Sequence, residues 1–283
     1  MLKHLLPIAA LILPAAAHGQ ERSTGPAEAV EGSGERPGGS GQPDFIALGA
    51  GFNPQYVGSD EYFLIPFGAF SFSTPIADFR SSGLSVSADL LAPYQRDRSV
   101  RVELGPQINY RFGREDDRVD DPVVLALGTI DDAIEVGAQA SIVFDGPRGS
   151  GLALRAEALR DVSGVYEGWT YGLEATYTFA TPREWGVNLV VNTQYGGDRF
   201  HDRYFDVTAA QSAASGLRQY DADKGFYQVA GGINLRRNIS RRWFLAGQFV
   251  TARLIDDVAE SPIVEDRGSN TQFRGGLTIG LTF

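Results

Sequence analysis

From residue 271 to residue 283 the chain reads TQFRGGLTIGLTF, and its large apolar side chains fall on alternate positions. Phe273, Leu277, Ile279, Leu281 and Phe283 share one face with Gly275, while Gln272, Arg274, Thr278 and Thr282 share the other. Period two means a strand with one apolar and one polar side. Its length and its final aromatic suit the last stave of a transmembrane β-barrel.

The same alternation recurs through the chain. Leu84, Val86, Ala88 and Leu90 oppose Ser85, Ser87 and Asp89. Val100, Val102, Leu104, Ile108, Tyr110 and Phe112 oppose Arg101, Glu103, Gln107, Asn109 and Arg111. Ile134, Val136, Ala138, Ala140, Ile142 and Phe144 oppose Glu135, Gly137, Gln139 and Ser141; Leu152, Leu154, Ala156 and Ala158 oppose Arg155 and Glu157. Trp169, Tyr171, Leu173, Ala175, Tyr177 and Phe179 oppose Thr170, Glu174, Thr176 and Thr178. Trp185, Val187, Leu189, Val191 and Tyr195 oppose Glu184, Asn188, Asn192 and Gln194, and Tyr227, Val229, Ile233 and Leu235 oppose Gln228, Asn234 and Arg236. Several runs begin or end in Trp, Tyr or Phe, as interfacial aromatic girdles require. Residues 45–52 and 243–254 choose no face cleanly.

With residues 45–53 and 62–72 these runs make eleven strands, and a bacterial single-chain barrel requires an even number. A short strand over residues 75–81 supplies the twelfth. The chain is therefore read as all-β, a transmembrane antiparallel β-barrel of about twelve strands over residues 44–283, or of ten if residues 62–92 are divided otherwise. Connections near 73–75, 93–97, 145–149, 180–184 and 237–241 are tight, whereas 113–131, 196–225 and 255–270 are long. Short periplasmic turns alternating with long external loops produce that asymmetry.

The first residues change the setting. Lys3 and His4, an apolar stretch from Leu5 to Ala17 and the small residues that follow read as a secretory signal peptide over residues 1–19. Residues 20–43 are rich in Gly, Ser, Pro and Glu, the composition of a disordered tether. No run of eighteen apolar residues follows, so the membrane is crossed by strands. The chain has no cysteine, and its net charge of −10, with 25 basic and 35 acidic residues, disfavours nucleic acid.

If the apolar faces meet outer-membrane lipid and lipopolysaccharide, the opposite faces line a lumen. That lumen receives Arg101, Glu103, Arg111, Glu135, Arg155, Glu157, Glu174, Arg236 and Arg274. Charges so placed are costly unless wet or paired. Neighbouring strands are expected to set Arg101 and Glu103 beside Glu135, or Glu135 beside Arg155 and Glu157. Such pairing would hold the interior mostly closed; left wet, it would pass small solutes.

Arg203-Tyr204-Phe205-Asp206-Val207-Thr208, followed by Ser215-Gly216-Leu217 and Tyr220, resembles a stretch of the MipA/OmpV family of MltA-interacting outer-membrane proteins. Tyr56-Val57-Gly58-Ser59, Leu64-Ile65-Pro66-Phe67 and the segment from Leu254 to Val264 match it too, and the resemblance spans residues 44–283. Asp206 stands where the family usually has glycine. The resemblance implies a barrel of the Gram-negative outer membrane without known catalytic residues. It further implies a scaffold joining a lytic murein transglycosylase to a murein polymerase, with porin-like and adhesive relatives as the other expectations.

Catalytic chemistry finds little to use. After signal cleavage His201 is the remaining histidine; it lies beside Asp202, but no serine nucleophile accompanies it, and it reads as a solvated loop side chain. No zinc spacing or phosphate-binding loop occurs, so no cofactor and no metal site is expected. The external acidic clusters, such as 115–121 and Asp256-Asp257, read as hydrated surface rather than cation bridges to lipopolysaccharide. Tyr204, Phe205, Ser215, Gly216, Leu217 and Tyr220 either fold inward as a lid or present a contact surface for a ligand. Arg236, Arg237, Arg241 and Arg242 form a basic cluster at a periplasmic turn, suited to an acidic partner or to the membrane interface.

Overall fold

The computed structural model describes residues 44–96 and 98–283; the signal peptide and tether expected over residues 1–43 lie outside the described residues. Twelve antiparallel strands close into one barrel, each pairing with its neighbours in chain order and the first with the last. They are β1 (Phe45–Pro54), β2 (Tyr62–Ser73), β3 (Asp78–Ser82), β4 (Ser85–Asp89), β5 (Val100–Arg111) and β6 (Ala133–Asp145). β7 (Gly151–Asp161), β8 (Trp169–Thr178), β9 (Trp185–Gly196), β10 (Gly225–Asn238), β11 (Trp243–Leu254) and β12 (Thr271–Thr282) complete the wall. The ten-stranded alternative is thereby excluded.

Alternation decides which side meets lipid. Val100, Val102, Leu104, Ile108, Ile142, Leu154, Leu173, Leu189, Ile233, Leu245 and Ile279 are exposed, while Arg101, Glu103, Gln107, Glu135, Gln139 and Thr170 between them are buried. An outer surface this apolar is stable only against hydrocarbon. Closure leaves the ring without a free edge strand along most of its height.

Three details depart from the sequence pattern. The twelfth strand occupies Asp78–Ser82 rather than 75–81, so β3 and β4 form a stub of five residues each, turning at Gly83 with φ +60°. Tyr227, grouped with the lipid-facing residues by alternation, is 2% exposed, because a bulge between Phe226 and Gln228 inserts one residue and turns its ring into the lumen. β1 and β11 lack a clean face because their inward sides are also apolar or small: Phe45 and Ala47 on one, Phe244, Val250 and Leu254 on the other.

The stub leaves a notch in the wall. β2 pairs with β3 only from Ser71 to Ser73, and β4 pairs with β5 only over Gln107 to Asn109. Above the stub, Tyr62–Ala69 has no strand partner on that side among the described residues. Pro66 lies in this stretch, and proline, lacking an N–H, belongs on a strand with a free edge.

At one rim lie the tight turns, with Arg98, Arg148, Arg237, Arg241 and Arg242 exposed. Arg236 does not join them. Its guanidinium lies 3.6 Å from the Phe244 ring centroid inside the barrel and donates to Thr282 Oγ1 at 3.2 Å, closing that end together with Phe45.

Candidate functional site

The long loops at the opposite rim carry five short helices: α1 (Pro122–Leu125), α2 (Asp198–Tyr204), α3 (Ala209–Ser215), α4 (Asp256–Glu260) and α5 (Pro262–Glu265). Each is too short to persist alone, so tertiary packing must hold it. The packing is a cap with two apolar clusters. One joins Ile130, Tyr166, Phe200, Tyr204, Phe205, Leu254, Val258 and Val264; the other joins Tyr56, Val119, Val124, Leu127, Val207, Leu217 and Ile263. Every long loop contributes to at least one of them.

Local chemistry explains the helix ends. Thr208 and Gln211 form a reciprocal capping box at the start of α3, and Gly216, at φ +80°, ends it where a side chain would be strained. Asp121 caps α1 through the Val123 N–H and also meets Arg267 at 2.7 Å, tying two loops together. Ser261 donates from Oγ to the Phe205 carbonyl at 2.7 Å, and Tyr220 from its hydroxyl to the Asp257 carbonyl at 2.7 Å. Asp206 keeps a negative φ and accepts from the Ala222 N–H at 2.9 Å, so this position does not need the glycine of the family pattern.

The loop residues singled out in the sequence sit within this cap. Tyr204 and Phe205 are buried in the first cluster and Leu217 in the second, and Tyr220 packs against both. Ser215 donates to the Gln211 carbonyl at 2.7 Å and receives the Leu217 N–H. Tyr204, Phe205 and Leu217 are thus buried, Ser215 and Tyr220 half-buried, and Gly216 exposed.

His201 corrects an expectation. Instead of being solvated it is 1% exposed, wedged against Phe200, Phe205 and Tyr227, with Nδ1–H donating to the Gly197 carbonyl at 3.3 Å. Burial lowers its pKa from 6.5, against the opposing pull of that carbonyl and of Asp202, Asp257 and Asp198. A base whose folded pKa lies below its unfolded one stabilises the fold fully above about 6.5 and loses that contribution as pH falls through the folded value. Amide exchange in α2, corrected for intrinsic rate, is therefore expected to be faster at pH 5 than at pH 7, and His201→Gln should erase the difference. Equal protection at both pH values in the unaltered chain would contradict this.

Part of the external acidic surface is likewise built into the cap. Asp132 receives Arg118 at 2.5 Å and the Gly113 N–H at 2.8 Å, and the Tyr110 hydroxyl also donates to it. Burial would raise its pKa, but these donors hold it below the usual carboxylate value. Arg118 also lies over the rings of Phe63 and Phe112, 5.9 and 5.0 Å from their centroids. Arg114 is buried, its guanidinium donating to the Gly128 carbonyl at 3.3 Å, and burial lowers its pKa to about 10.

Beneath the cap the inward charges pair differently from the sequence expectation. Register sets Glu135 opposite Asn109 and Asp161, not beside Arg101 or Arg155. Glu135 is fully buried and accepts from Arg111 at 2.6 Å, Asn109 at 2.6 Å and the Tyr166 hydroxyl at 2.5 Å. Glu103 meets Arg80 at 3.1 Å, Arg101 pairs with Asp145, and Arg155 lies 3.7 Å from Glu157. Glu174 accepts from Thr176 at 3.3 Å. Arg274 carries neither an ion pair nor a hydrogen bond among the described residues, and its Nε is buried without a partner.

Cavities remain in the lumen among the described residues. One of about 120 Å³ is lined by Arg155, Glu157 and Glu174. Another, of about 300 Å³, lies between Arg274, Gln248 and Asn192 on one side and Ile65 and Phe67 on another. Sequence reasoning missed Phe200, Tyr166, Val124 and Ile263 as cap residues. They show no periodicity, and only the aromatic density of 199–205 hinted at burial.

The family described as MltA-interacting protein MipA matches residues 46–283. No curated protein matches the chain. Among solved structures, the NanC porin is 8% identical, with 84% of this chain and 99% of that one covered at a TM-score of 0.46. An outer-membrane channel from Pseudomonas putida F1 is 12% identical, with 93% and 100% covered at a TM-score of 0.40.

Proposed function

The chain belongs to the MipA family, and from that premise we propose that this outer-membrane barrel is a closed, non-enzymatic anchor of the Gram-negative envelope. Its periplasmic rim would hold murein-processing enzymes, a lytic transglycosylase first, as the family description names, with a murein polymerase beside it. The observation that carries the reading is the cap. Two apolar clusters built from every long loop cover the mouth, and paired charges fill much of the lumen, an arrangement suited to a support rather than an open pore. The buried, neutral-leaning His201 is not placed to act as a general base, which supports a barrel without catalysis.

Docking falls to the opposite rim, where Arg237, Arg241 and Arg242 are exposed and Arg237 rests on the Trp185 ring at 4.8 Å. Immobilised full-length barrel is expected to retain a lytic murein transglycosylase, and Arg237→Glu with Arg241→Glu and Arg242→Glu to weaken retention by reversing the rim charge. Absence of retention, or retention indifferent to the triple reversal, would contradict docking at this rim. A second reading, a narrow porin for small polar solutes, is favoured by the lumenal cavities and would require the cap to move.

A further inference from the structure

Three independent features meet at the larger cavity. The first is the notch. Its lining takes Ile65 and Phe67 from the inward face of β2, Gly83 and Leu84 from the tip of the β3–β4 stub, and Tyr110 and Phe112 from the β5 end, so the cavity extends to the gap in the wall. A strand edge without a partner is unfavourable in hydrocarbon, and an opening onto a wet chamber relieves it. Phe63 and Phe112, with ring centroids 5.2 Å apart, bridge the top of the notch beneath Arg118.

The second feature is Arg274. The carboxylates of this part of the lumen have donors of their own: Glu135 is taken by Arg111, Asn109 and Tyr166, and Glu157 by Gln107 at 2.9 Å and Arg155. Arg111, spent on Glu135, shares the cavity wall with Arg274. A guanidinium left over in a narrow lumen is costly unless water or an anion meets it. The third feature is the division of the lining, with Ile65, Phe67 and Val250 apolar and Asn192, Gln194 and Gln248 able to hydrogen-bond. About 300 Å³ holds roughly ten waters, and so a carboxylate with a chain of several carbons.

We infer that this chamber binds a small anionic amphiphile, its carboxylate on Arg274 and its chain against Ile65 and Phe67, and that the notch admits it from the membrane. A side entrance explains how a lumen covered by the cap is reached without moving the cap. It also explains why the wall is cut short beside the apolar half of the chamber. The inference does not depend on docking at the periplasmic rim.

The test is equilibrium binding of octanoate carrying ¹³C at its carboxyl, with the mature chain refolded in lipid nanodiscs and empty nanodiscs as the blank. A saturable bound carboxyl resonance is expected. Arg274→Gln should weaken it roughly tenfold to a hundredfold, as loss of a charge-assisted hydrogen bond implies, and Arg274→Lys should restore part. Octanol and acetate should each compete poorly, having only one of the two required parts. Phe112→Ala, which opens the top of the notch, should quicken exchange of bound octanoate. Unchanged heat-modifiable gel migration establishes that each variant still forms the barrel. No bound resonance, binding indifferent to Arg274→Gln, or acetate competing as well as octanoate would overturn the amphiphile site; exchange unaffected by Phe112→Ala would overturn the entrance.

Discussion

Excision of residues 197–223 is expected to turn an electrically silent barrel into a conducting one. Those residues include α2, α3 and the buried Phe200, Tyr204, Phe205 and Leu217, so their removal takes the centre from both apolar clusters of the cap. A ring of twelve strands lies between filled eight-stranded barrels and open porins of sixteen or more, and the ion pairs left inside would keep any pore narrow. In planar bilayers the intact chain should show no steps, and the shortened chain small, frequent ones. Phe200→Asp offers the same test without a deletion, because a carboxylate in that fully buried position cannot stay charged without opening the cap. Steady openings of the intact chain would contradict closure, and silence of a correctly folded shortened chain would move the block to the lumenal charges.

Glu135→Ala should cost about 3 kcal/mol of stability, at the low end of what breaking a buried ion pair costs because the nearby cavity can admit water. Glu135 is fully buried and satisfies Arg111, Asn109 and Tyr166 together, linking two strands of the wall to the β7–β8 loop beneath the cap. Its loss leaves Arg111 uncompensated under the Phe200 ring, 5.0 Å from the centroid. Tyr166→Phe removes only one donor and should cost about 1 kcal/mol. Guanidinium unfolding of the refolded barrel measures both, and a midpoint for Glu135→Ala equal to that of Tyr166→Phe would contradict the central place given to the carboxylate.

Alternation along the chain was enough to reveal the barrel because period two survives wherever one face meets lipid and the other meets water or polar groups. It failed where that contrast fails. β1 and β11 turn apolar or small residues inward as well, and the bulge before Gln228 moves Tyr227 to the face its position in the alternation denies. The cap escaped sequence reasoning for a different reason. Its clusters assemble from side chains scattered between Tyr56 and Val264, with no local period to betray them, so His201 passed for a solvated residue. Register explains the mistaken charge pairs: which inward charges meet depends on strand stagger, and Arg101 finds Asp145 at a strand end instead of Glu135. Pro66, within β2, carried a sign of the notch that alternation does not read, since proline in a strand is confined to free edges, strand starts or bulges.

The external loops pack into a closed apolar cap, and the chain's lack of cysteine lets that packing be probed directly. Single cysteines would be placed at Val124 and Ile263, both fully buried in the cap, and at Ala213, exposed on α3. Each folded variant would then be treated with a membrane-impermeant maleimide from the outer face. Rapid labelling is expected at Ala213→Cys and strong protection at Val124→Cys and Ile263→Cys, lost on unfolding; equal labelling rates at all three positions would show that the mouth is not closed by a packed cap.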